Sequence, residues 1–428
     1  MATDTASAAA LHPASPGAYL PRREAVAVFL AFAFAYFLSA LLRAVTATLS
    51  PVLVETFGLS AQSLGLLGGA YFAGFALMQW PLGHALDRWG PRPVVLALLS
   101  LAVLGCLAFA LAQGFASLLA ARFLIGVGVS ACLMAALTGY RRWFDAGTQL
   151  RANAWMLMTG SLGMVASTLP VQWLLPLTGW RTLFVLLATL LILAMALIAW
   201  RVPAVPRAVA AAVREAAGQG AVWRHPMLRR LAPLAFFGYG GLVAMQTLWA
   251  APWMTQVLGY RPEQAAQGLF WINLSMLATF WVWGWVQPAL MRRGFGAQRL
   301  IAWGLPLSFV LLAIIIVAGP RLSTLGYGMF CLYCVACSFV TLAQPAVGLS
   351  VAPAVAGRAL TAVNLLIFLG VFAVQWGIGL LIDGLQRAGL DTLAAYRAAF
   401  AVFLLCCVAA YLRFLWGWRG GAGDNPAS

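Results

Sequence analysis

The chain contains no lysine and only ten acidic residues, and charged side chains make up 8% of its 428 residues. Soluble domains carry about 25% charge, so water cannot be the solvent for most of this chain. The three histidines, His12, His84 and His225, fall in polar connecting segments, and no HExxH or similar ligand spacing occurs. Embedded acid pairs are missing as well. Without these groups no catalysis, cofactor or resident metal is expected. The first 24 residues have no apolar core of the signal-peptide kind, so the first apolar segment is expected to act as its own uncleaved insertion signal.

Hydrophobic residues account for 63% of the chain. Twelve stretches can each supply the ~20 helical residues that cross ~30 Å of bilayer. They run over 26–53, 62–82, 94–113, 116–139, 154–176, 182–200, 232–256, 265–290, 300–319, 325–349, 359–382 and 393–416. Their apolar runs are continuous and show no two-residue alternation, which favours helices over a β-barrel. The fold class expected is therefore an all-α integral membrane protein of twelve transmembrane helices.

The formal charge of +16 would point to nucleic acid in a soluble protein, but all 26 basic residues are arginine and they are sorted by connection. Nineteen fall in the termini and the connections on their side. Five (Arg181, Arg261, Arg321, Arg387 and Arg397) fall on the other side, and Arg43 and Arg122 lie within spans. By the positive-inside rule both termini are expected in the cytoplasm of a bacterial-type inner membrane, with lipid rather than nucleic acid as the charged partner. The seven cysteines all lie in spans and read as small apolar packers rather than as a disulfide framework.

A polar, proline- and arginine-rich stretch divides the apolar runs into two sets of six. The expected organisation is a disordered tail (1–25), a first six-helix bundle (26–200), a cytoplasmic linker (201–231), a second bundle (232–416) and a cytoplasmic tail (417–428). Arg207 and Arg214, seven apart among alanines and valines, fit an amphipathic helix on the anionic inner leaflet. The halves look weakly repeated. Arg151, Ala152 and Ala154 match Arg358, Ala359 and Ala362, and Trp180, Arg181 and Phe184 match Tyr396, Arg397 and Phe400, each about half a chain apart.

One cluster of charge and turn residues, GHALDRWGPR from Gly83 to Arg92, interrupts the apolar runs and must face water. Gly83, Asp87, Arg88, Gly90 and Arg92 resemble the signature loop between the second and third helices of the major facilitator superfamily. Arg122 with Gly126 and Gly128 is similar to that family's second motif. The resemblance implies two pseudo-symmetric six-helix bundles working by alternating access, and a monomer that binds a small-molecule substrate together with a proton or counter-anion. The fifth span lacks the Gly-Pro pair of drug/proton antiporters, which disfavours drug export. Asp87 is placed to accept hydrogen bonds from the free N–H groups at the start of the eleventh span, near Gly357, as a latch on the cytoplasmic side.

A charge in mid-span marks a functional site by default, and Arg43 is such a charge. Tyr36, Ser39, Arg43, Thr46 and Ser50 recur at steps of three and four, which sets a polar stripe on one face of the first span. Arg43 resembles the first-helix arginine of organophosphate/phosphate antiporters, but nothing basic follows Arg230 in the seventh span to pair with it. One guanidinium fork suits a monovalent carboxylate better than a doubly charged phosphate. Neutral partners are expected from Tyr239 and Gln246, Asn273, Tyr333 and Gln344, and Asn364 and Gln375. No carboxylate sits at mid-span. The function expected is transport of a small organic anion. Cys331, Cys334 and Cys337 with thirteen methionines keep soft-metal (copper) import as an alternative, beside drug or metabolite export.

Overall fold

In a computed structural model of the chain, residues 19–204 and 223–416 are described, apart from 324 and 352. Every regular element among them is helical. The first half holds α1 (Arg22–Phe57), α2 (Ala61–Trp89), α3 (Pro91–Ala110), α4 (Phe115–Trp143), α5 (Ala146–Ala166) and α6 (Leu169–Arg201). The second holds α7 (Pro226–Gln256), α8 (Pro262–Arg292), α9 (Ala297–Leu322), α10 (Gly326–Leu349), α11 (Pro353–Arg387) and α12 (Thr392–Trp416). All but α5 are individually long and apolar enough to cross a membrane, by length and composition. Helix α5 opens on Gly147, Thr148, Gln149 and Arg151, and this polar first turn lowers its hydropathy.

Helix boundaries follow from local chemistry. Gly58, at φ 60°, closes α1 in the left-handed conformation and donates its N–H to Val54. The Ser60 hydroxyl caps α2 by accepting from the Ser63 N–H. Asp145 caps α5 by accepting from the Thr148 N–H at 3.0 Å, and the Thr148 hydroxyl together with that N–H holds its carboxyl below the usual carboxylate range. A carboxylate with a depressed pKa stabilises above its unfolded pKa and loses that effect as pH falls through the folded value. Asp145→Ala is therefore expected to lower the melting temperature at neutral pH, with the difference closing below the ordinary carboxylate range; a difference that does not close in melts run across pH would contradict the cap.

Two boundaries differ from the sequence expectation. Helix α1 begins at Arg22, inside the expected tail, and α7 begins at Pro226, inside the expected linker, because their arginine-bearing first turns project beyond the apolar run. The fifth crossing is α5 continued by the start of α6. The sixth begins after Gly179, where φ 71° and ψ 163° break the helix and only a residue without Cβ is at ease. The rest of the tails and the Arg207–Arg214 stretch lie outside the described residues.

The two halves are built alike. Glycines with positive φ stand at matching connections: Gly58 and Gly259, Gly90 and Gly294, Gly179 and Gly389. Arg181 donates to the Ala110 carbonyl at the end of α3, and Arg397 donates to the Val317 carbonyl near the end of α9, so each half closes the same pair of helices in the same way.

The halves meet where α2 runs along α11, α1 lies against α7, and α8 packs on α5 and α6. The face that carries the start of α1 and the α2–α3 loop is the basic face. At the opposite face the seam is closed. A Cβ on Gly65 would lie 2.3 Å from the Gln375 carbonyl oxygen, and one on Gly379 would lie 2.3 Å from that of Ala61. At the basic face the seam is open, for a Cβ on Gly83 would meet nothing within 4 Å, Trp80 is 64% exposed, and Asp87, Gly357 and Arg358 are exposed. Trp281 and Trp285 on the matching end of α8 are exposed too.

Candidate functional site

Arg43 lies below the closed end of the seam. It keeps partial exposure while Leu42 and Ala44 beside it are buried, and since the opposite face is shut this access runs to the basic face. Its guanidinium carbon is 5.6 Å from the centre of the Phe75 ring on α2 and 5.7 Å from the Phe368 ring on α11. One cation thus meets an aromatic ring from each half, and the two rings pack side by side, 4.4 Å apart. Its polar neighbours are three tyrosines, Tyr71, Tyr36 and Tyr239. Its Nε is buried and has no hydrogen-bond partner among the described residues.

Arg122 stands behind this group, 1% exposed. One Nη donates to the Arg43 carbonyl at 3.4 Å, and the guanidinium carbon lies 5.0 Å from the Tyr71 ring centre. Gly126 and Gly128 allow this approach. A Cβ on Gly126 would sit 2.0 Å from the Tyr71 carbonyl oxygen, and one on Gly128 would sit 2.2 Å from the Ala102 nitrogen. The second motif therefore acts by packing α4 directly on the backbones of α2 and α3.

The charge balance of this core is one-sided. Among the described residues the only buried carboxylate is Asp383, at the far end of α11, whereas Arg43 and Arg122 are both held in the core. Cation–π contacts contribute about 2 kcal/mol when desolvated, against several kcal/mol for taking one ion out of water. Aromatic rings thus offset only part of the cost. An anion would offset the rest.

The other expected contacts divide. Tyr36 and Tyr239 join Arg43. Ser39 is fully buried against the first half, its hydroxyl donating to the Val129 carbonyl at 3.5 Å while its own carbonyl accepts from the Tyr71 hydroxyl. Thr46 is buried, and the Ser50 hydroxyl turns back to the Ala47 carbonyl. Gln246 is buried in the π turn Met245–Trp249, which packs on α1. Gln344 donates to Asn364 at 2.7 Å, and both are half-buried, one turn of α11 nearer the basic face than Phe368.

Three of the amide and tyrosine positions face elsewhere. Tyr333 is buried among Cys334, Cys337 and Cys407 inside the second half. Its expected partnership with Gln344 assumed a continuous α-helix, but the 3-10 turn Ser338–Leu342 advances the helix by three residues per turn and rotates the two apart. Gln375 seals the seam, its side-chain amide donating to the Thr247 hydroxyl at 3.0 Å and its main-chain carbonyl accepting from the Trp249 indole N–H. Asn273 donates to the Leu269 carbonyl of its own helix. Tyr71, Phe75 and Phe368 are the residues around Arg43 that sequence reasoning missed. The four-residue step from Tyr71 through Phe75 to Gln79 marks that face of α2, but tyrosine and phenylalanine in an apolar run read as ordinary lining.

In the signature loop, Arg92 donates to the Ala199 carbonyl near the end of α6, and Arg88 lies over the Trp89 ring. Asp87 is exposed and makes no hydrogen bond or ion pair with the described residues. Helix α11 begins at Pro353, so the Gly357 N–H belongs to its second turn and the free donors precede it. Cys331 is half-buried while Cys334 and Cys337 are buried, and the Cys337 thiol points to the Gly238 carbonyl. Among the described residues no group of three or more His, Cys, Asp and Glu is placed to hold a metal.

The family model for the Major Facilitator Superfamily matches residues 32–375. The chain belongs to that superfamily. Eleven helices among the described residues are long and apolar enough to cross a membrane, which fits the multi-pass fold of that superfamily. It is 33% identical over 140 residues to the multidrug transporter MdfA of Yersinia pestis, covering 32% of this chain and 34% of that one. It is 31% identical over 140 residues to the 4-hydroxybenzoate transporter PcaK of Acinetobacter baylyi, covering 32% and 30%. The chain thus spans about a third of the length of the curated relatives it matches. A bacterial homologue of the human lysosomal transporter Spinster, solved inward-facing and unoccupied, superposes with a TM-score of 0.74 at 19% identity, covering 94% of this chain and all of that one.

Proposed function

We propose that this transporter moves a small monovalent organic anion, a carboxylate, across a bacterial-type inner membrane with both chain termini in the cytoplasm. The observation behind the proposal is Arg43, a cation in mid-membrane with an aromatic ring from each half against it and, among the described residues, no buried carboxylate beside it. A bound carboxylate would accept from its fork and from the tyrosine hydroxyls, while the organic part lies against Phe75 and Phe368. Tyr36 and Tyr239 come from different halves, so the ligand would be held where the halves rock past each other. The basic face then corresponds to the cytoplasm. The PcaK likeness supports this substrate class, and the MdfA likeness supports drug export. A lipophilic cation in this core would meet Arg43 and Arg122 with no acid among the described residues of the core to pair with, which favours the anion.

Thermal shift of the purified protein tests the class. A ligand at about 100 times its Kd stabilises by about 2.7 kcal/mol. Monocarboxylates are expected to raise the melting temperature, while their neutral amides, organic cations and Cu(I) leave it unchanged. Stabilisation by cations or neutral compounds alone would overturn the proposal.

A further inference from the structure

The closed end of the seam carries an ion contact between the halves. Both oxygens of Asp383, in the last turns of α11, accept backbone N–H groups at the very start of α2: Ala61 at 3.0 Å and Gln62 at 3.1 Å. These are two of the four donors a helix start leaves free, and they sit at the positive end of the helix dipole. Asp383 is 7% exposed, and the neighbouring charge is Arg387 of its own helix at 4.0 Å, whose Nη also reaches the Gln62 side chain at 3.5 Å. Tyr396 of α12 faces the same carboxylate. Helices α2 and α11 run antiparallel, and each bears an acid in its last turns: Asp87 in α2, Asp383 in α11. Asp383 is engaged where the seam is shut, and Asp87 is exposed where the seam is open.

We infer that Asp383 is the positioning residue that holds the opposite face closed, and that Asp87 and Asp383 form a reciprocal pair, each capping the start of the other's helix in turn. Closure of either end forms one cap as rocking of the halves breaks the other. The interaction is charge-assisted, made to main-chain donors, and spans the two halves, so its loss changes the balance of states rather than either bundle. Substrate identity plays no part in it, so it stands or falls separately from the carboxylate proposal.

The test is double spin-label distance measurement on the full chain in lipid. One label pair at Thr56 and Ala388 reads the opposite face, and a second at His84 and Gly357 reads the basic face; all four positions are exposed. Asp383→Asn is expected to shift the closed-to-open ratio at the opposite face by on the order of tenfold, lengthening the first distance and shortening the second. Ala61→Pro provides a second route, since it deletes one donor at the first helical position, where proline is tolerated, after a Ser60 already extended at ψ 167°. It is expected to move both distances in the same directions. Asp87→Asn is expected to leave the opposite face closed and the basic face open. Unchanged distance distributions in Asp383→Asn and Ala61→Pro, or a loss of melting temperature without any change in the two distances, would overturn the inference.

Discussion

Arg43→Gln is expected to lower carboxylate uptake into proteoliposomes by on the order of 10- to 150-fold at subsaturating substrate, with expression and melting temperature retained. Hydrogen bonds to a charged partner contribute about 1.5 to 3 kcal/mol, which converts to that range. The variant should fold because Arg43 is held by ring faces and tyrosines rather than by an ion pair, so its removal leaves no carboxylate stranded. Arg43→Lys separates charge from geometry. It keeps a cation but not the planar fork, and is expected to fall between the wild type and Arg43→Gln. Equal rates for all three proteins would place the substrate elsewhere.

Gly126→Ala is expected to be the most damaging single methyl group in the first half. Its Cβ would meet the Tyr71 carbonyl oxygen at 2.0 Å and the carbonyl carbon at 2.8 Å, and backbone cannot rotate aside as a side chain can. Overpacking costs about 1 to 3 kcal/mol, occasionally more, and a main-chain clash belongs at the upper end. The melting temperature is expected to fall by roughly 5 to 10 °C. The displaced residue is Tyr71, which faces Arg43, so uptake should weaken as well. Gly83→Ala provides the control, because nothing lies within 4 Å of the added methyl in this conformation. It is expected to leave the melting temperature within about 1 °C while slowing uptake, if α11 approaches Gly83 when the basic face closes. Equal stability losses in the two variants would contradict this assignment of the glycines.

The helices and the central cation were legible because both follow from one-dimensional rules. A run of apolar residues as long as a bilayer must be a helix, and an arginine at its centre must be excused by function. Gly126 and Gly128 were legible by family resemblance, and the structure supplies their physical reason in the backbone contacts with Tyr71 and Ala102. Helical phase was less dependable. Projecting Tyr333 and Gln344 onto one face failed at the 3-10 turn of α10, and the π turns Leu234–Tyr239 and Met245–Trp249 reset the phase of α7 in the same manner. Tyr71, Phe75 and Phe368 were not legible because their role depends on which distant helix each meets across the seam. Asp383 was legible only as an acid at a span end. Its partners, the Ala61 and Gln62 N–H groups, are main-chain atoms and leave no residue-type signal in the sequence.

The central claim is that Arg43 recognises the negative charge of the substrate, and a double-mutant cycle measures that directly. Binding of one monocarboxylate and of its amide isostere is determined by calorimetry for the wild type and for Arg43→Gln, and the four free energies yield the coupling between guanidinium and carboxylate. A coupling of about 2 kcal/mol or more is expected, with the amide binding both proteins almost equally. A coupling of zero, with the carboxylate bound as tightly by Arg43→Gln as by the wild type, would contradict the claim.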